Sequence, residues 1–162
     1  MTSNATRWIV RFVLFAILCR AAASAVDGCD CEPGGSGKPK ATLVDAEVTL
    51  CTTSADKDRD TRLEIWIDKD GGKQVAYLDL GRSEKMMDGS SKVYDVPKQG
   101  RAMRRSELPA SQMHVRITPL GHDSWRFKAK AVLNFTDGSS YQKCFGETVL
   151  DRDARTGVYP LN

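Results

Sequence analysis

The chain has 162 residues, a length that favours one domain. Its formal charge of +3 arises from 24 Lys plus Arg against 21 Asp plus Glu, and Arg7, Arg11 and Arg20 sit in an N-terminal stretch with no acidic residue. Without those three the two counts are equal at 21, so global charge gives no argument for nucleic-acid binding.

Residues 1–25 read as a secretory signal peptide. Arg7 and Arg11 form the positive n-region, Phe12 to Cys19 a short apolar core, and Ala23-Ser24-Ala25 a small-x-small cleavage site. The apolar run is about half the ~20 residues of a spanning helix, so no transmembrane segment is expected in the mature chain. The expected location is secreted or periplasmic. The mature chain keeps Cys29, Cys31, Cys51 and Cys144, an even count that suggests disulfides in an exported protein. A bond between Cys29 and Cys31 would close a strained ring. Each is therefore expected to pair with Cys51 or Cys144, tying the N-terminal tail to two strands, with the choice between them open.

Residues 26–40 form a Gly/Pro/Ser-rich tail, and 41–150 the folded domain. Val44, Ala46, Val48 and Leu50 alternate with polar residues in a first strand, which places Cys51 on its opposite face. Arg62 to Ile67 is a second strand with Leu63, Ile65 and Ile67 on one face and Trp66 on the other. A Gly/Asp turn leads to a third strand, Gln74 to Leu80. Gly81 to Ser91 is a loop in which Met86 and Met87 are the residues expected to be buried. Lys92 to Val96 is a short strand stopped by Pro97. Ser106 to Pro109 has room for one helical turn, and Met113, Val115 and Ile117 mark another strand.

The clearest element comes next. Trp125, Phe127, Ala129, Ala131, Leu133 and Phe135 fall on every second residue, with Arg126, Lys128, Lys130 and Asn134 between them. One face of this strand belongs to a core and the other is charged. Asp137-Gly138 supplies the hairpin turn to a partner strand, Ser140 to Gly146. A final edge strand is expected near Thr148 to Leu150, and 151–162 reads as a C-terminal tail. Seven to eight short strands without a helical period predict an antiparallel β-sandwich, with a closed barrel as the alternative.

Three surface features carry functional expectations. Asp56, Asp58 and Asp60 alternate in the loop between the first two strands, and Asp123 precedes the long strand. If the two loops share one end of the sandwich, the four carboxylates form a candidate calcium site, since calcium takes several oxygen ligands in flexible geometry. Asp68 and Asp70 should lie at the opposite end. Lys98, Arg101, Arg104 and Arg105 form a basic segment suited to an anionic head group, a glycan or an acidic partner. Trp66 and Tyr77 are either exposed aromatics for sugar stacking or, for Trp66, covered by the N-terminal tail. Asn134-Phe135-Thr136 is a glycosylation sequon on the wet face.

Catalytic motifs are sparse. His114 and His122 are the available bases, Ser124 is two residues from His122, and no Gly-x-Ser-x-Gly elbow occurs. A hydrolase built on His122 is the catalytic option, and a non-catalytic role is expected. The acidic loop after the first strand and the Gly121-His122-Asp123-x-Trp125 approach to an amphipathic strand resemble PLAT and C2 domains. That resemblance implies a non-catalytic module, with calcium as the candidate cofactor, that recognises a lipid, glycan or protein surface. The alternative is a small secreted effector or inhibitor that grips a protein partner through the basic loop.

Overall fold

A computed structural model describes residues 29–31 and 35–162. The expected signal peptide lies outside the described residues. Eight strands are present: β1 (Leu43–Ala55), β2 (Arg62–Lys69), β3 (Lys73–Gly81), β4 (Ser91–Asp95), β5 (Ser111–Thr118), β6 (Trp125–Phe135), β7 (Ser140–Leu150) and β8 (Thr156–Pro160). A 3-10 turn, Arg105–Ala110, precedes β5. The first sheet has the order β4-β1-β6-β7 and the second β3-β2-β5-β8, every neighbour being antiparallel. The two sheets face each other as a sandwich; they do not close into a barrel.

β6 supplies the densest part of the core. Trp125, Phe127, Ala129, Ala131 and Leu133 are fully buried and Phe135 nearly so, while Arg126 and Lys128 are exposed. Ala46, Val48 and Leu50 on β1 continue this inward face. The second sheet answers with Leu63, Ile65 and Ile67 on β2 and Met113, Val115 and Ile117 on β5, all without exposed surface. Each such side chain gains about 1.5–3 kcal/mol on leaving water. The polar atom at the start of the β6 row is satisfied, because the Trp125 indole N–H donates to the buried Thr52 hydroxyl at 3.0 Å. At the hairpin, Gly138 takes a φ of +76°, and the Phe135 N–H donates to the Ser139 carbonyl at 2.9 Å.

Two boundaries differ from the sequence reading. β7 does not stop at Gly146. Its register against β6 passes from Phe127–Thr148 to Ala129–Phe145, so Gly146 and Glu147 together oppose Lys128 in a bulge and the strand runs on to Leu150. The bulge changes the phase of the alternation, which is why the sequence looked like two strands. The C-terminal segment 151–162 is part of the sandwich as well. β8 pairs with β5, and Tyr159 and Leu161 are buried. Its brevity and its Gly157 and Pro160 hid it; Pro160 is tolerated because β8 is an edge strand. In the 81–91 loop, Met86 is fully buried but Met87 is 62% exposed, since only Met86 pairs with the Lys57 backbone.

The cysteine tail lies on the outer face of the first sheet. Cys29 bonds Cys51 on β1, and Cys31 bonds Cys144 on β7. β6 runs between those two strands, with Cys51 opposite Lys128 and Cys144 opposite Lys130. Two strand spacings separate β1 from β7 by about 9.5 Å. A single residue between the cysteines gives a reach of about 7 Å, and Cα–Cα distances of 6.3 and 5.7 Å across the bonds make up the rest. Cys51 and Thr49 are thereby buried on a face that would otherwise be wet. In the chain-entropy picture a 22-residue separation contributes about 3.4 kcal/mol and a 113-residue separation about 4.8 kcal/mol. Urea denaturation of the two double-serine variants should therefore show a larger loss for Cys31→Ser/Cys144→Ser than for Cys29→Ser/Cys51→Ser.

Candidate functional site

The disulfide tail occupies the first sheet, so the second sheet presents its outer face without that cover. On β2 the inward Leu63, Ile65 and Ile67 force Glu64, Trp66 and Asp68 outward, and the same alternation puts His114 and Arg116 outward on β5. The register then builds a transverse row. Tyr77 on β3 pairs with Trp66 on β2, Trp66 with His114 on β5, and His114 with Val158 on β8. The row crosses three strand spacings, about 14 Å. Trp66 and His114 stack with ring centroids 4.7 Å apart and planes within 2°. Val158 ends the row at 50% exposure.

A charged row runs beside it. Glu64 is only 3% exposed although it lies on the outer face. Three groups make that burial tolerable. Arg116 donates two bonds to its carboxylate at 2.8 Å each, and the Tyr77 hydroxyl donates a third at 2.8 Å. Arg62 stands 3.7 Å away. Bidentate guanidinium–carboxylate pairing fixes geometry as well as charge. Arg116 also lies over the Trp66 ring at 5.2 Å. Arg62 makes a second fork to Asp79, holding that carboxyl below its ordinary range together with the Gly81 N–H. Donation to Glu64, aided by burial, pushes the Tyr77 phenol up. On the other flank Asp68 Oδ2 is 2.8 Å from His114 Nε2. Arg62 and Arg116 thus pair with Glu64 and Asp79, and the bonds to Glu64 hold Tyr77 and the guanidinium over Trp66 in place.

The other predicted residues are distributed as follows. The acidic loop and Asp123 do share one end of the sandwich, and Asp68 and Asp70 are at the other. Asp123 accepts from the Asp58 backbone N–H at 3.2 Å and from the Thr61 hydroxyl. Asp56 instead pairs with Lys85 at 3.2 Å, and Asp58 and Asp60 are exposed. The structure does not bring the four carboxylates together; among the described residues no three His, Cys, Asp or Glu side chains form a metal-binding group. The buried charged group of this loop is Lys57, which has no exposed surface.

Of the basic segment, Arg105 is committed to structure. It donates to the Ser139 hydroxyl and the Gly35 carbonyl and lies 5.1 Å over the Phe135 ring. Lys98 reaches the Leu43 carbonyl at 3.4 Å. Arg101 and Arg104 are exposed. The Arg104 backbone N–H is held by Glu107, which Lys69 also pairs. Asn134 donates to Asp45 at 2.6 Å on the outer face of the first sheet. His122 and Ser124 line a surface hollow with Asp151, Arg152 and Asp153. Among the described residues no hydrogen bond joins His122 to Ser124.

Comparison of the chain with protein-family models, curated proteins and solved structures returned no match. The likeness to PLAT and C2 domains therefore rests on the loop and strand pattern alone. His114, Glu64 and Arg116 were not singled out as site residues from the sequence. Their outward phase was legible, but their meeting depends on the pairing of β2 with β5, some fifty residues apart.

The depressed Asp79 carboxyl has a signed consequence. Its stabilising contribution is present above the ordinary carboxylate range and is lost as pH falls through the lower folded value. Thermal melts between pH 5 and 2 should show a shallower acid dependence in Asp79→Asn than in wild type.

Proposed function

We propose that this protein is a secreted, non-catalytic binding module that docks a protein partner through the outer face of the β3-β2-β5-β8 sheet. The observation that carries the reading is the Tyr77–Trp66–His114–Val158 row, half-buried at its three rings and exposed at Val158, while the described cysteine tail is bonded to the opposite sheet. Two disulfides support an oxidising destination.

The chemistry of the face favours a protein surface over a lipid head group. Trp, Tyr and Arg are the side chains that dominate protein–protein binding energy, and they do so at the centre of a patch. Here Trp66, Tyr77 and Arg116 are central and already fixed by stacking and forked bonds. A pre-ordered surface loses less side-chain entropy on docking. The face sets Glu64, Asp68 and Asp79 against Arg62 and Arg116, so it carries no excess positive charge to recruit anionic lipid. With its plane covered by His114 and Arg116, Trp66 offers less free ring face for stacking on a sugar. Exposed Gln74 and Gln112 provide a polar rim.

The test is a binding panel of secreted proteins and cell-surface ectodomains, run in parallel with a glycan array and anionic vesicles. An ectodomain should bind wild type, and Trp66→Ala should weaken it by at least about tenfold, as loss of a hot-spot residue does. Arg101→Ala/Arg104→Ala should leave it unchanged. Binding confined to glycans or vesicles, or an ectodomain indifferent to Trp66→Ala but lost with the arginines, would replace this reading.

A further inference from the structure

We infer that the acidic loop between β1 and β2 is built around a cation that belongs to the chain itself: the ammonium of Lys57 stands where a bound metal ion would stand. Lys57 has no exposed surface although its loop carries Asp56, Asp58 and Asp60. An ammonium has three donors and no acceptor. All three are used on main-chain carbonyls, Asp58 at 2.9 Å, Thr61 at 2.7 Å and Glu84. Carbonyl oxygens converging on one positive centre are what a hard cation requires.

The cage joins three separate loops. Asp58 and Thr61 belong to the β1–β2 loop, and Glu84 to the β3–β4 loop. The third, β5–β6, enters through Asp123, whose carboxylate binds the Asp58 N–H and the Thr61 hydroxyl from outside the cage. The Lys57 backbone adds a two-way bridge to Met86, with Lys57 N–H to Met86 carbonyl at 2.9 Å and the return bond at 3.1 Å. Burial pulls the Lys57 ammonium below its ordinary value, while Asp123, Glu84, Asp58 and Asp60 act to keep it charged. The loop is therefore inside out relative to a metal loop. Its carbonyls point inward at Lys57, while Asp58 and Asp60 face solvent and Asp56 turns to Lys85. Order at this end of the sandwich then needs no added ion.

The experiment combines wild type with one variant. Wild-type melts in millimolar calcium and in chelator should agree to within about 1 °C, whereas a metal bound at a hundred times its dissociation constant would raise the midpoint by several degrees. In nitrogen-15 NMR of wild type, the Lys57 ammonium should appear at neutral pH with slowly exchanging protons, as a water-excluded donor must. Lys57→Met keeps an unbranched side chain as far as the ε position but removes the ammonium and leaves three carbonyls unpaired. Its midpoint should fall by more than about 5 °C, and amide protection should drop together in 56–61, 82–90 and 119–124. A calcium-dependent rise in wild type would overturn the inference and return the loop to Asp56, Asp58, Asp60 and Asp123 as metal ligands. An unprotected Lys57 ammonium would overturn it too, even if Lys57→Met failed to fold.

Discussion

The constraint on which this structure depends is the alternation of β6. A strand has two faces, and the row from Trp125 to Phe135 is too apolar to leave either in water or against a lone sheet. A second sheet must cover it. Leu63, Ile65 and Ile67, with Met113, Val115 and Ile117, have the same period and complete the core. Burying those faces leaves Glu64, Trp66, Asp68, His114 and Arg116 on the outside together, because period two permits nothing else.

Which of the two outer faces remains open is decided by covalent bonds. The Cys29-Asp30-Cys31 tail spans β6 and is anchored on both neighbouring strands of the first sheet. That places chain over Thr49 and Cys51 and away from Trp66. The covered face is cross-linked and the open face is laced by forked ion pairs. Rigidity on both sides comes from different chemistry: entropy removed from the unfolded chain on one, and fixed donor–acceptor geometry on the other.

The two ends of the sandwich are also organised differently. At one end a buried ammonium ties the β1–β2 and β3–β4 loops through carbonyl groups, and the Asp123 carboxylate joins the β5–β6 loop to them. At the other, Arg105 clamps residue 35 of the tail to the β6–β7 hairpin, and Asp137 holds the Lys38 N–H with its carboxyl pulled down to about 2 by Ser139 and that backbone donor. Charged residues here serve mainly as ties within the chain. On the outer face proposed for docking, Arg62 and Arg116 are likewise tied to Glu64 and Asp79.

The sequence by itself determined the all-β class, seven of the eight strands, the inward rows and the reach of the cysteine pair, because strand period and turn chemistry act over neighbouring residues. It also placed Asp68 and Asp70 at the end opposite the acidic loop, while the meeting of Asp123 with that loop came from the tertiary structure. Only the tertiary structure decided that Lys57 points inward with the aspartates outside, since a five-residue loop of alternating charge reads the same in either sense. Only it decided that β7 bulges at Gly146 and that 156–160 joins β5, because short edge strands take their order from a neighbour. The meeting of Tyr77, Trp66, His114 and Val158 was likewise a matter of register, which is set by pairing across the sheet and leaves no trace in local spacing.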